Sequence, residues 1–171
     1  MAKSKNAGAL TPEKLSVGLD DDKRTGIVDT LNVLLADEFL LYTKTRNYHW
    51  NVMGPRFHDL HLFFEKQYEQ LDELMDDVAE NARQFGGFAS GTMAEYVQMS
   101  RLKESPGKHP PEDEMISNLL ADHETIIRAL RKDIAKADEK YDAADAADFL
   151  TAVLEEHNKM AWMLRACLSR P

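Results

Sequence analysis

The sequence predicts an all-α protein: a four-helix bundle whose long crossover, between helices B and C, carries a short extra helix. Three observations predict it. Apolar residues recur at helical spacing over four long stretches. The eight glycines and six prolines among 171 residues gather near the ends of those stretches, too few for an all-β or low-complexity chain. A hydrophobic content of 43% suits one domain with a sizeable core and requires no second.

Taken in order, residues 1–22 are polar and aperiodic and read as a flexible tail, with the bundle domain expected over 23–171. Lys3, Lys5 and Lys14 make the tail mildly basic before the acidic run Asp20, Asp21, Asp22. Helix A is expected over 25–51, with Ile27, Val28, Leu31, Leu34, Leu35, Leu41 and Tyr42 on broad apolar faces and His49 on the final turn. Helix B opens at Pro55, where a first turn accepts proline. It carries Phe57, Leu60, Phe64, Leu71, Met75, Val78, Ala82 and Phe85 until Gly86 and Gly87 end the pattern.

The segment 86–111 is broken by Gly91, Pro106, Gly107, Pro110 and Pro111, yet 93–102 has the pattern of a short helix. A connection of this length is what a bundle with a crossover needs. Helix C follows Pro111, with Glu112, Asp113 and Glu114 at its positive end and Met115, Ile116, Leu119, Ile126 and Leu130 on its apolar face. Helix D begins near Ala144 and carries Phe149, Leu150, Val153, Leu154, Trp162 and Leu168.

Helix B has two faces with separate assignments. At about 100° per residue, His61, Glu65, Asp76 and Glu80 project at roughly 0°, 40°, 60° and 100°, about 125° from the centre of the apolar stripe. The apolar face packs inside the bundle and the His/carboxylate face points elsewhere. Glu65 and Asp76 are eleven residues apart, a rise of about 16 Å, whereas the ligands of one ion lie about 2.0–2.6 Å from it. Both pairs close on one ion only if a second copy of the helix runs antiparallel across a two-fold axis. His49 stands twelve residues before His61 across a Met-Gly-Pro turn, so adjacent antiparallel helices bring both imidazoles together. Two imidazoles and three carboxylates per site suit Fe(II) and leave positions open for an oxidant. His58, one turn before His61, reads either as an accessory ligand or as an interface-edge residue.

The residues His49-Trp50-Asn51-Val52-Met53-Gly54, then Phe57, His61 and Glu65, followed by Asp76-x-x-x-Glu80 and Gly86-Gly87, resemble the Dps family of mini-ferritins, the starvation-induced DNA-protection proteins. The resemblance extends weakly over nearly the whole chain. It implies a ferritin-like bundle in a homododecameric cage, and a di-iron ferroxidase site at a two-fold interface. There Fe(II) is oxidised, preferably by hydrogen peroxide, and ferric mineral is stored. His49, His61 and Glu65 would come from one chain, Asp76 and Glu80 from its partner. In the family, acids near Asp142, Asp145 and Asp148 line a three-fold iron-entry pore, Asp145 and Asp148 matching that region best; the three also read as helix-start acids facing the dipole. Trp50 either quenches stray oxidising equivalents or fills the interface. In this family a lysine-rich tail is one route to DNA, so Lys3, Lys5 and Lys14 read as a DNA-binding tail or as a solvated arm. Asn81 departs from the family, which usually has Arg after the glutamate and so a local salt bridge.

A net charge of −9 argues against the folded body gripping nucleic acid and favours attraction of cations. No apolar run is long enough for a bilayer and the N-terminus lacks the apolar centre of a signal peptide, so a cytoplasmic protein with no membrane contact is expected, with association to a bacterial or archaeal nucleoid left open. The single Cys167 reads as a packed small residue. His109, His123 and His157 lack the spacing of a shared site and read as surface or core residues. The Glu-x-x-His pair of di-iron bundles is absent, which disfavours a metal site inside one bundle. The competing function is a non-enzymatic helical oligomer that condenses DNA or sequesters metal without turnover; a third reading is a bundle whose charged stripe is simply solvated.

Overall fold

A computed structural model describes residues 11–12 and 14–168. Lys3 and Lys5 of the expected tail lie outside the described residues. The chain forms α1 (Asp21–Asn51), α2 (Phe57–Gln84), α3 (Met93–Met99), α4 (Glu112–Ala135), a π-helical turn at Lys136–Lys140 and α5 (Ala144–Leu168). Among the described residues every regular element is helical. α1 starts four residues before the expected Thr25, because Asp21 and Asp22 complement the positive end of its first turn and Asp20 accepts from Arg24 N there.

Two hairpins build the bundle, α1 packed along α2 and α4 along α5, with α3 lying against α1 in the crossover. α1 is the central element. It buries Leu31, Leu34, Leu35, Ala36, Leu40 and Leu41 on several sides, since it meets α2, α3 and α4 together. α2 is amphipathic as expected, burying Leu60, Phe64, Leu71, Met75, Val78 and Ala82. Phe57 is the exception: it is 46% exposed and its ring stacks at 5.2 Å on His61 instead of entering the core.

Charged residues fasten the crossover. Asp37, wholly buried on α1, accepts from Ser100 Oγ at 2.9 Å, from Arg101 N at 2.6 Å and from Arg101 Nε at 2.6 Å, while Arg101 Nη1 reaches Asp133 on α4 at 2.9 Å. Arg56 in the α1–α2 turn donates to Glu112 at 2.8 Å and pairs with Asp113, tying that turn to the start of α4. Gly87 ends the α2 stretch where a Cβ would stand 2.3 Å from Val28 Cγ1, so only glycine lets the chain pass α1 at this height.

Candidate metal centre

The last turn of α1 and the first turns of α2 hold His49 and His61 face to face, ring centroids 3.8 Å apart and tilted by 20°. Each ring bonds to the other residue's backbone: His49 Nδ1 to His61 O at 2.8 Å, and His61 Nδ1 to His49 O at 2.9 Å. A carbonyl oxygen only accepts, so both Nδ1 atoms carry the proton. Both Nε2 atoms in the neutral rings therefore keep their lone pairs for a cation. Ligating histidines are oriented by their second nitrogen in this way. The tautomer is set by the helix pairing.

Glu65 follows His61 by one turn and is half-buried; Tyr68, a further turn on, donates its hydroxyl to Glu65 Oε1 at 3.4 Å. Burial and the neighbouring Glu65 charge push the Tyr68 phenol above its ordinary range. Asp76 and Glu80 lie exposed toward the far end of α2. Asp76 lines a cleft of about 400 Å³ with Asp72, Phe39 and Tyr96. The structure thus brings His49 and His61 together, with Glu65 one turn after His61 on α2, and leaves Asp76 and Glu80 farther along the same helix. Among the described residues of one protomer, no group of three or more His, Cys, Asp or Glu side chains could hold a metal ion.

A profile of the ferritin-like domain matches residues 28–170. DNA protection during starvation protein 2 of Bacillus anthracis is 34% identical over 144 residues, covering 84% of this chain and 97% of that protein. The chain belongs to the Dps family of ferritin-like proteins. DpsC from Streptomyces coelicolor superposes with a TM-score of 0.90 at 29% identity over 94% of each chain. A low-temperature-induced, uncharacterised protein of Nostoc is 42% identical over 90% of this chain and 86% of its own length.

Within this Dps fold the remaining expected residues fall as follows. His58 is exposed on the first turn of α2, and Trp50 is 65% exposed beside His49. Trp50 meets the Arg46 guanidinium, 5.5 Å from its ring centroid. Asp142 occupies a left-handed turn at φ 53° after the π-helical turn, a conformation that Asp tolerates, and pairs with Lys23 at 3.5 Å. Asp145 and Asp148 are exposed at the start of α5. Lys14 is exposed in the segment before α1. Asn81 is half-buried, and its Oδ1 is sealed from solvent without a protein partner. Burial pushes the Cys167 thiol up, which keeps it protonated. No helix of the described chain is long and apolar enough to cross a membrane.

Two groupings escaped the sequence. His123 on α4 and His157 on α5, 34 residues apart, meet through their Nδ1 atoms at 2.9 Å, and His157 Nε2 lies 2.7 Å from Glu38 Oε1 on α1; all three are fully buried. The sequence reads His123 and His157 as surface or core residues, and no short spacing links them to each other or to Glu38. The second is a run of aromatic rings from Tyr68 across α1 to Tyr96, assembled from three helices.

Proposed function

We propose that this chain is a ferroxidase of the Dps cage type, which oxidises Fe(II), with hydrogen peroxide as the preferred oxidant, and retains the ferric product inside a homododecamer in the cytoplasm. The single observation that carries the reading is the reciprocal locking of His49 and His61 through Nδ1, which leaves the Nε2 of each neutral ring free for a cation, with Glu65 one turn after His61. The donor set fits ferrous iron, which is the substrate: borderline imidazole nitrogens beside hard carboxylate oxygens. Two copies of α2, antiparallel across a two-fold axis, set Asp76 and Glu80 of the partner subunit opposite that trio and complete two equal sites per dimer. The stacked Phe57, exposed in the single chain, then covers the His61 ring from the partner side.

Three carboxylates offset most of the charge of two ferrous ions and stabilise them further as they become ferric. Two ferrous ions supply both electrons that peroxide needs and solvent supplies two protons, so the O–O bond breaks to two waters and no hydroxyl radical leaves. DNA protection, the activity named for the Bacillus anthracis relative, then follows from removing both Fenton reactants. Asp145 and Asp148, with Asp142 beside them, would form an acidic ring at a three-fold axis that draws Fe(II) inward.

Stopped-flow iron oxidation tests the site. The wild-type protein is expected to consume about two Fe(II) per peroxide. His61→Ala and Asp76→Ala, on opposite halves, should each slow oxidation by at least about tenfold. Wild-type rates in both variants would remove this face from the chemistry. The non-enzymatic reading makes the opposite prediction, since peroxide protection by DNA condensation would survive both substitutions and disappear with residues 1–20, together with any salt-sensitive gel retardation.

A further inference from the structure

The two half-sites carried by one protomer serve different iron centres, and a line of aromatic rings runs between them. Near the His49/Glu65 half, the Tyr68 ring stands edge-on to His49 with centroids 5.2 Å apart. Tyr68 meets Tyr42 of α1 edge-on at 6.0 Å, and Tyr42 meets Phe39, one turn back, at 6.2 Å. Phe39 stacks on Tyr96 of α3 at 4.4 Å and 21°. Phe39 and Tyr96 line the cleft that holds Asp76. The ring line therefore spans the distance along α2 that separates Glu65 from Asp76. No ring contact joins the exposed Trp50 to it among the described residues; only the Arg46 guanidinium stands between.

We propose that Tyr68, Tyr42, Phe39 and Tyr96 form an electron path joining the two iron centres of a dimer. The path lets two centres that each hold one ferrous ion reduce one peroxide together. This rests on the ferroxidase reading above. Reduction of hydrogen peroxide to two waters breaks one O–O bond and takes two electrons and two protons. The nearby ferrous ion gives one electron and solvent gives the protons. Tyr68 gives the second electron, and its hydroxyl proton leaves to solvent. The ferrous ion in the Asp76 half then returns an electron through Tyr96, Phe39 and Tyr42, and Tyr68 recovers its proton. The sum is two ferrous ions made ferric and no net change in the protein.

Arg46 decides where the electron deficit rests. Its guanidinium lies 5.7 Å from the Tyr42 ring centroid and 4.9 Å from that of Tyr68, so a positive charge on either ring is opposed and an electron leaves only together with a proton. Tyr68, half-buried and in ring contact with His49, stands at the end of the line nearest the iron and can release that proton to solvent. The Tyr42 hydroxyl oxygen instead accepts a hydrogen bond from Arg46. Tyr68 is thus the site of oxidation, and Tyr42, Phe39 and Tyr96 are the bridge. Electron tunnelling weakens exponentially with the gap between rings, so removing one bridging ring breaks the line.

The test uses the assembled protein loaded with one Fe(II) per centre, mixed with half an equivalent of peroxide and frozen at intervals for electron paramagnetic resonance, with spin trapping of hydroxyl radical in parallel. A transient tyrosyl signal is expected in wild type, lost in Tyr68→Phe and longer-lived in Phe39→Leu. Phe39→Leu should also release trapped hydroxyl radical under single-iron loading only, with ordinary oxidation when each centre holds two. Absence of a tyrosyl signal in wild type, or its unchanged decay in Phe39→Leu, overturns the path. Those results leave the ferroxidase site standing, whereas wild-type rates in His61→Ala and Asp76→Ala remove the site itself.

Discussion

Two histidine pairs in this chain stand in opposite circumstances. His49 and His61 sit where the end of α1 meets the start of α2, each with its Nδ1 bonded to the other's backbone carbonyl. His123 and His157 face each other with no backbone partner in the contact, so one proton must serve both Nδ1 atoms, and His123 Nε2 is left buried without a partner. Burial, reinforced by neighbouring His157, holds the His123 pKa well below the usual imidazole range. The unfolded chain therefore binds a proton near pH 6.5 that the folded chain refuses, and stability is lost as pH falls below about 6.5. Urea midpoints measured from about pH 7.5 down to 5 should fall more steeply in wild type than in His123→Gln, which removes this titration while costing roughly 1–3 kcal/mol at neutral pH. Equal slopes would show that another group carries the acid response.

At the scale of elements, the crossover is held by buried charge together with the few apolar residues Tyr96 and Leu102. α3 has seven residues and buries only Tyr96. Its capping box, with Thr92 and Glu95 exchanging bonds, defines its start. What anchors the segment to the bundle is Asp37, which satisfies Ser100 and Arg101 at once. Removing one partner of a buried pair strands the other, at about 3–5 kcal/mol. Asp37→Ala should lower the thermal midpoint accordingly and raise amide exchange in the crossover before it does in α1 or α5. Gly87 tests the other end of the crossover. Gly87→Ala forces Val28 to move and should cost about 1–3 kcal/mol by thermal unfolding, because the clash is with a buried β-branched side chain on the central helix.

For the whole molecule, Trp50 at the end of α1 and Phe57 and Leu62 at the start of α2 leave large apolar side chains exposed around the α1–α2 turn. The two-fold pairing proposed for the iron sites covers them. Particle mass in solution should approach twelve times 19.4 kDa, and a stable monomer that oxidises Fe(II) at full rate would defeat the shared-site arrangement. Salt tolerance offers a further check on the tail, since a body of net charge −9 should hold DNA, if at all, only through its lysines and only at low ionic strength.

The sequence by itself determined the helices, their order, the crossover with its short helix, and the two-faced character of α2. Each of these is written in local spacing, because a helix repeats every 3.6 residues and glycine and proline mark its ends. It also brought His49 near His61, since a short turn between antiparallel helices leaves them little choice. Only the tertiary structure decided that their Nδ1 atoms bond reciprocally to backbone carbonyls, that Phe57 leaves the core to stack on His61, and that Glu38, His123 and His157 share a buried centre. The aromatic line from Tyr68 to Tyr96 belongs with these. All of them depend on side chains from different helices meeting at one height in the bundle, and the relative shift of packed helices is set by the interlocking of whole faces, which no single stretch of sequence encodes.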